Sequence, residues 1–224
     1  MLAGLLVLSA VSLGVGVALA VAGQERRFMR RVIEGFTAGA VPTLILVHVV
    51  PSLWARVGPM ALVALASGYG TFWLVEHAVE HRAVRVPVAL AVLTIHSALD
   101  GASLAVSQSA RLGRTSSLLV AMVVAHRFPE GLLVGGLSTR RYGPAAAAAI
   151  GFALALVMAG GAAGGSVVLG RLDGHAGHVA VACGMGALLR VLFHDDDADR
   201  WRAPGAVASA AIGAILALAI PELP

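Results

Sequence analysis

Apolar residues gather along this chain into eight long stretches, roughly 2 to 22, 35 to 54, 59 to 79, 87 to 108, 117 to 138, 145 to 169, 176 to 193 and 204 to 221. Short polar segments carrying most of the arginines separate them. Each stretch is about the length that crosses a hydrocarbon core of ~30 Å as a helix, although the seventh is short. Connections this brief place successive helices antiparallel. No loop is long enough to fold separately, so residues 1–224 form one domain. The predicted fold is an all-α polytopic membrane protein of eight transmembrane helices.

Composition strengthens this reading. The chain is 58% hydrophobic and only 12% charged, with a mean hydropathy of +0.88, far from a soluble domain of this size. All sixteen basic residues are arginine, and the net charge is +4. Such a balance can indicate nucleic acid, but the arginines are scattered across short connections, so no nucleic-acid partner is expected. They read instead as topology signals. With the N-terminus outside, the inner side receives Arg26, Arg27, Arg30, Arg31, Arg82, Arg85, Arg140, Arg141, Arg200 and Arg202, and the outer side Arg56, Arg111, Arg114 and Arg171. Ten against four places both termini outside the cytoplasm. The expected location is the bilayer of a bacterial inner (plasma) membrane. The first stretch has a second reading as a signal peptide, because Ala18-Leu-Ala20 resembles a cleavage site, but no positive residue precedes it. The single cysteine, Cys183, excludes an intrachain disulfide and a cysteine metal cluster, and reads as a small buried apolar residue.

The candidate chemistry lies in two segments thirty positions apart. His96-Ser-Ala-Leu-Asp100-Gly101 and His126-Arg-Phe-Pro-Glu130-Gly131 each place a histidine four residues before a carboxylate, inside apolar runs. Positions i and i+4 share a helix face, so each segment presents an imidazole and a carboxylate in one direction near the middle of its span. Ionisable groups at such depth are costly and mark ion paths, proton relays or cofactors. A metal is the reading that uses all four. Imidazole and carboxylate donors without thiolate suit a divalent ion such as zinc, iron, manganese, cobalt or cadmium without selecting among them, and zinc is the working expectation. The two carboxylates would offset the charge of one such ion. Pro42, Pro51 and Pro129 each remove a backbone donor within a predicted span, and broken helices often line membrane ion sites. The glycines at 160, 161, 164 and 165 are spaced for close helix packing.

At these residues the chain resembles the ZIP family (Zrt- and Irt-like proteins) of divalent-metal transporters, whose fourth and fifth helices carry motifs of the type H-N-x-x-D/E-G and H-N/E-x-P-E-G. Fainter similarities lie in Leu46-Val-His48-Val-Val-Pro51 and in Gly186-Ala-Leu-Leu followed by Phe193-His194-Asp195. The resemblance implies an eight-helix ZIP-like bundle, both termini outside, transport by alternating access, and His96, Asp100, His126 and Glu130 as the metal ligands. It also implies that Ser97, Arg127 and Met158 stand at positions used for a second ion in binuclear relatives, and that this second site is lost. His48 belongs either to the pathway or to packing. Arg127 either pairs with Glu130 or Asp100, or faces away from the site, since adjacent helical residues differ by about 100°.

Two further clusters lie at the predicted inner face. Glu76, His77, Glu80 and His81, and His194 with Asp195, either collect metal there or form ordinary solvated helix ends. His175 and His178 read as loop residues. The partners expected are metal ions and the lipid bilayer, with a homodimer allowed. No enzyme is expected, and an intramembrane metalloprotease is the least favoured alternative, since H-E-x-x-H is absent. The competing functions are a non-transporting metal sensor or binding protein on the same fold, and a bis-histidine haem protein using His96 and His126.

Overall fold

The computed structural model describes residues 2–24, 26–78, 82–109, 113–169, 174–193 and 204–219. Among these residues there is no strand. The helices are α1 (Leu2–Gly23), α2 (Arg27–Thr43), a π-helical turn (Leu44–Val49) running without interruption into α3 (Val50–Val57), α4 (Met60–Ala78), α5 (Arg82–Ser109), α6 (Gly113–Tyr142), α7 (Pro144–Leu169), α8 (Gly174–Leu192) and α9 (Pro204–Leu218). Gly58 and Gly143 end α3 and α6 with φ of 58° and 88°, values open to glycine without strain. In each case a proline follows at once, where its fixed φ starts the next helix.

Of the three prolines singled out in the sequence, Pro42 and Pro129 do not break their helices, whereas Pro51 borders an irregular turn. Residue 129 lies inside an unbroken α6, residue 42 inside α2 and residue 87 inside α5. The irregularity falls instead at the π-turn, where Val50 N–H donates to the Ile45 carbonyl just before Pro51, which has no N–H to contribute to the ladder.

The most extensive pairings are α1 with α6, α2 with α9, α5 with α7 and α4 with α8. They form two groups. One contains α1, α5, α6 and α7; the other contains α2, α3, α4, α8 and α9. The groups join where α2 meets α6 and α5 meets α8. The main apolar core draws on both, through Leu13, Val41, Ile45, Leu93, Val134, Leu154 and Leu188.

Polarity is inverted relative to a water-soluble protein. Large apolar residues such as Val7, Val11, Phe152, Leu156, Ile212 and Ile215 are exposed, while His96, Asp100, Arg127, Glu130 and Arg190 are buried. An apolar exterior around an ionic interior matches hydrocarbon as the surrounding solvent. By length and composition, Leu2–Gly23, Phe28–Val57, Pro144–Gly164 and His175–Leu192 are able to cross a membrane, and Met60–Val75, Val86–Ala102 and Gly205–Leu218 are shorter apolar segments. The chain thus has the helices of an integral membrane protein.

Candidate metal centre

Helices α5 and α6 each carry one histidine and, a turn later, one carboxylate, and the bundle sets these two faces against each other. One ligand atom from each of His96, Asp100, His126 and Glu130 falls within 4.8 Å of the other three. Backbone contact fixes both helices. A Cβ at Gly101 would strike the Met158 carbonyl of α7, and one at Gly131 would strike the Leu13 carbonyl of α1. The glycine after each carboxylate therefore admits a neighbouring helix, α7 at Gly101 and α1 at Gly131.

Asp100 Oδ2 is the hub. It lies 2.9 Å from His126 Nε2, 3.6 Å from His96 Nε2 and 3.6 Å from Arg127 Nη1. The two imidazoles meet edge to face with centroids 5.6 Å apart. His96 is 3% exposed, yet its Nε2 has no hydrogen bond among the described residues. At 3.6 Å Asp100 Oδ2 is beyond hydrogen-bond range, which leaves this nitrogen able to serve as a ligand atom. Two imidazole nitrogens and two carboxylate groups form a donor set suited to a divalent transition metal.

Arg127 faces the site. Its side chain is wholly buried, with Nη1 2.5 Å from Glu130 Oε2 and 3.0 Å from Ser97 Oγ. Ser97 in turn donates to Glu130 Oε1 at 3.2 Å. Of the other positions tied to a second ion, Met158 is buried in an apolar cluster with Leu104, Leu2 and Leu6. His48 stands apart from the four donors. Its Nε2 donates to the Ala217 carbonyl at 2.8 Å, in the last turn of α9 where carbonyls lack helical partners. Of its two readings, the structure supplies the packing one with a partner.

His77 is exposed and turned onto its own helix, with Nδ1 donating to the Trp73 carbonyl at 3.2 Å and its ring 4.2 Å from the Trp73 ring. The Glu76 side chain and residues Glu80, His81, His194 and Asp195 lie outside the described residues, so neither cluster at the predicted inner face is assembled here. His175 and His178 belong to the first turns of α8 and not to a loop. Cys183 is half-buried, not fully enclosed.

Two further charged groups, outside the residues singled out from the sequence, are engaged across the bundle. Arg190 is buried in α8, its guanidinium 5.8 Å from the centre of the Tyr69 ring; a charge in the seventh apolar stretch was signal enough to find it. Glu34 pairs with Arg140 and lies 3.9 Å from Arg30, a cross-helix contact with no local sequence mark. Compared with known proteins, the chain matches no protein-family model and no curated protein.

Proposed function

We propose that the chain is a membrane carrier of divalent transition-metal ions, zinc first among them, built as a ZIP-like bundle of eight spans and working by alternating access around a buried site. The observation that carries this reading is the convergence of His96, Asp100, His126 and Glu130 to within 4.8 Å inside an apolar bundle. Water is replaced there by fixed ligands, and two carboxylates offset a divalent charge that is costly to hold in a low-dielectric setting. The placement between α5 and α6, flanked by α1 and α7, puts the site inside the protein, as midway binding requires.

The haem alternative is disfavoured by the same geometry. The Asp100 carboxylate bonds His126 Nε2 and lies beside His96 Nε2, so it stands between the nitrogens that would have to ligate iron. A non-transporting metal sensor or binding protein has one observation in its favour, the buried Arg127–Glu130 ion pair, which ties up a ligand.

Uptake of Zn²⁺ or Cd²⁺ into sealed proteoliposomes tests the reading, comparing the parent with His96→Ala and Asp100→Asn. His96→Ala is the cleaner variant, since its Nε2 has no hydrogen bond to lose among the described residues. Saturable uptake by the parent and its loss in both variants is expected. Binding without flux would favour the sensor, and neither binding nor flux would reject both.

A further inference from the structure

We propose that Arg127 is a resident counter-cation of the carboxylate pair, so that its guanidinium and a divalent ion hold Asp100 and Glu130 in alternation. This rests on the metal reading of the four donors, and it assigns Arg127 the role of setting which charge the site accepts.

The geometry is that of a competitor. A single nitrogen, Arg127 Nη1, approaches Glu130 Oε2 at 2.5 Å, Ser97 Oγ at 3.0 Å and Asp100 Oδ2 at 3.6 Å. It therefore touches both carboxylates, at Asp100 through the very oxygen that His126 also engages. A metal ion bound to those oxygens at ~2.0–2.2 Å would share its surroundings with a permanent positive charge. Like charges at such range repel strongly away from water, and arginine has no neutral form to retreat to.

The charges lead to the same result. With both imidazoles in the neutral form that binds metal, two carboxylates and one guanidinium sum to one negative charge. A divalent ion added to that set leaves a net positive charge among side chains that are mostly buried, His126 being the most exposed at 21%. With the guanidinium withdrawn, the same ion brings the sum to zero. The site as built is closer to balance with one added positive charge than with two, and divalent loading requires Arg127 to give up its partners.

The pairing is also one that can be given up. Arg127 reaches both carboxylates most closely through the same Nη1, and its buried Nε has no hydrogen bond among the described residues. It is not the two-pronged clamp that makes guanidinium–carboxylate pairs hardest to separate. Ser97, which accepts from Nη1 and donates to Glu130, can keep its bond to Glu130 when the guanidinium leaves.

Calorimetric titration of Cd²⁺ into the detergent-purified full chain tests the proposal, comparing the parent with Arg127→Gln, Arg127→Lys and Arg127→Ala. Arg127→Gln is expected to tighten binding about tenfold or more, by removing a like charge from a buried site. Arg127→Lys, which keeps a cation, should stay near the parent. Millimolar guanidinium should weaken Cd²⁺ binding to Arg127→Ala, where the free cation can refill the position, and leave the parent unaffected. Should Arg127→Gln fail to fold because Glu130 has lost its partner, purification with Cd²⁺ present throughout should restore it. Equal affinity in parent and Arg127→Gln, or a variant that the ion does not rescue, overturns the counter-cation and leaves the metal site standing. Absence of binding in every protein overturns both.

Discussion

His48 and His96 are both buried histidines, and their ring nitrogens separate their roles. Nε2 of His48 is spent on the Ala217 carbonyl, whereas Nε2 of His96 has no hydrogen bond among the described residues and faces Asp100. Removing His48 leaves a carbonyl at the end of α9 unsatisfied, a loss of about 1–3 kcal/mol. His48→Leu should therefore lower thermal stability in detergent while binding the same number of Cd²⁺ ions as the parent. A fall in stoichiometry with stability unchanged would return His48 to the pathway. Sequence could not separate these cases, because the partner of His48 lies 169 positions away. The direction of Arg127 was similarly out of reach. Its Cα is set about 100° from that of His126, and only the length of the side chain and the location of Glu130 three residues on bring its charge inward.

At the scale of elements, what matters is which glycines touch a neighbouring backbone. Gly101 faces the Met158 carbonyl and Gly161 faces the Ala98 carbonyl, so α5 and α7 lock together from both sides, whereas nothing lies within 4 Å of a Cβ placed at Gly160 or Gly164. Gly101→Ala and Gly161→Ala should each cost about 1–3 kcal/mol through forced separation of the helices. Gly160→Ala and Gly164→Ala should be neutral or gain about 0.5–1 kcal/mol from lower chain entropy. Unfolding in graded denaturant checks the contrast, and equal losses at all four positions would contradict the packing. The spacing of the glycines at 160, 161, 164 and 165 announced close approach but not which of them made it; among the described ones Gly161 does and Gly160 and Gly164 do not, while the surroundings of Gly165 lie outside the described residues. The i, i+4 pairs were more legible: a helix obliges residues 96 and 100, or 126 and 130, to share a face, so only the meeting of the two helices had to be found in three dimensions. Pro129 was misleading because α6 accommodates it without leaving α-helical geometry, while the π-turn before Pro51 carries no sequence sign beyond the proline itself.

For the whole molecule, the remaining question is which way the bundle sits in a membrane. On the proposed eight-span reading the number of crossings is even, which puts both ends of the chain on one side. Arg140 at the end of α6 pairs with Glu34 of α2 and lies 3.4 Å from Gln24 just after α1. That contact brings the connection after the first stretch and the connection after the fifth to the same end of the bundle, as strict alternation of spans demands. Both connections are arginine-rich, with residues 26, 27, 30 and 31 in one and 140 and 141 in the other, and basic connections stay in the cytoplasm. In a Cys183→Ala background, a cysteine added after Pro224 should therefore react with an impermeant thiol reagent applied to intact cells. A cysteine replacing the exposed Tyr142 should react only after the membrane is opened. The reverse result would invert the orientation, and labelling of both from outside would break the alternation on which the proposed eight-span bundle depends.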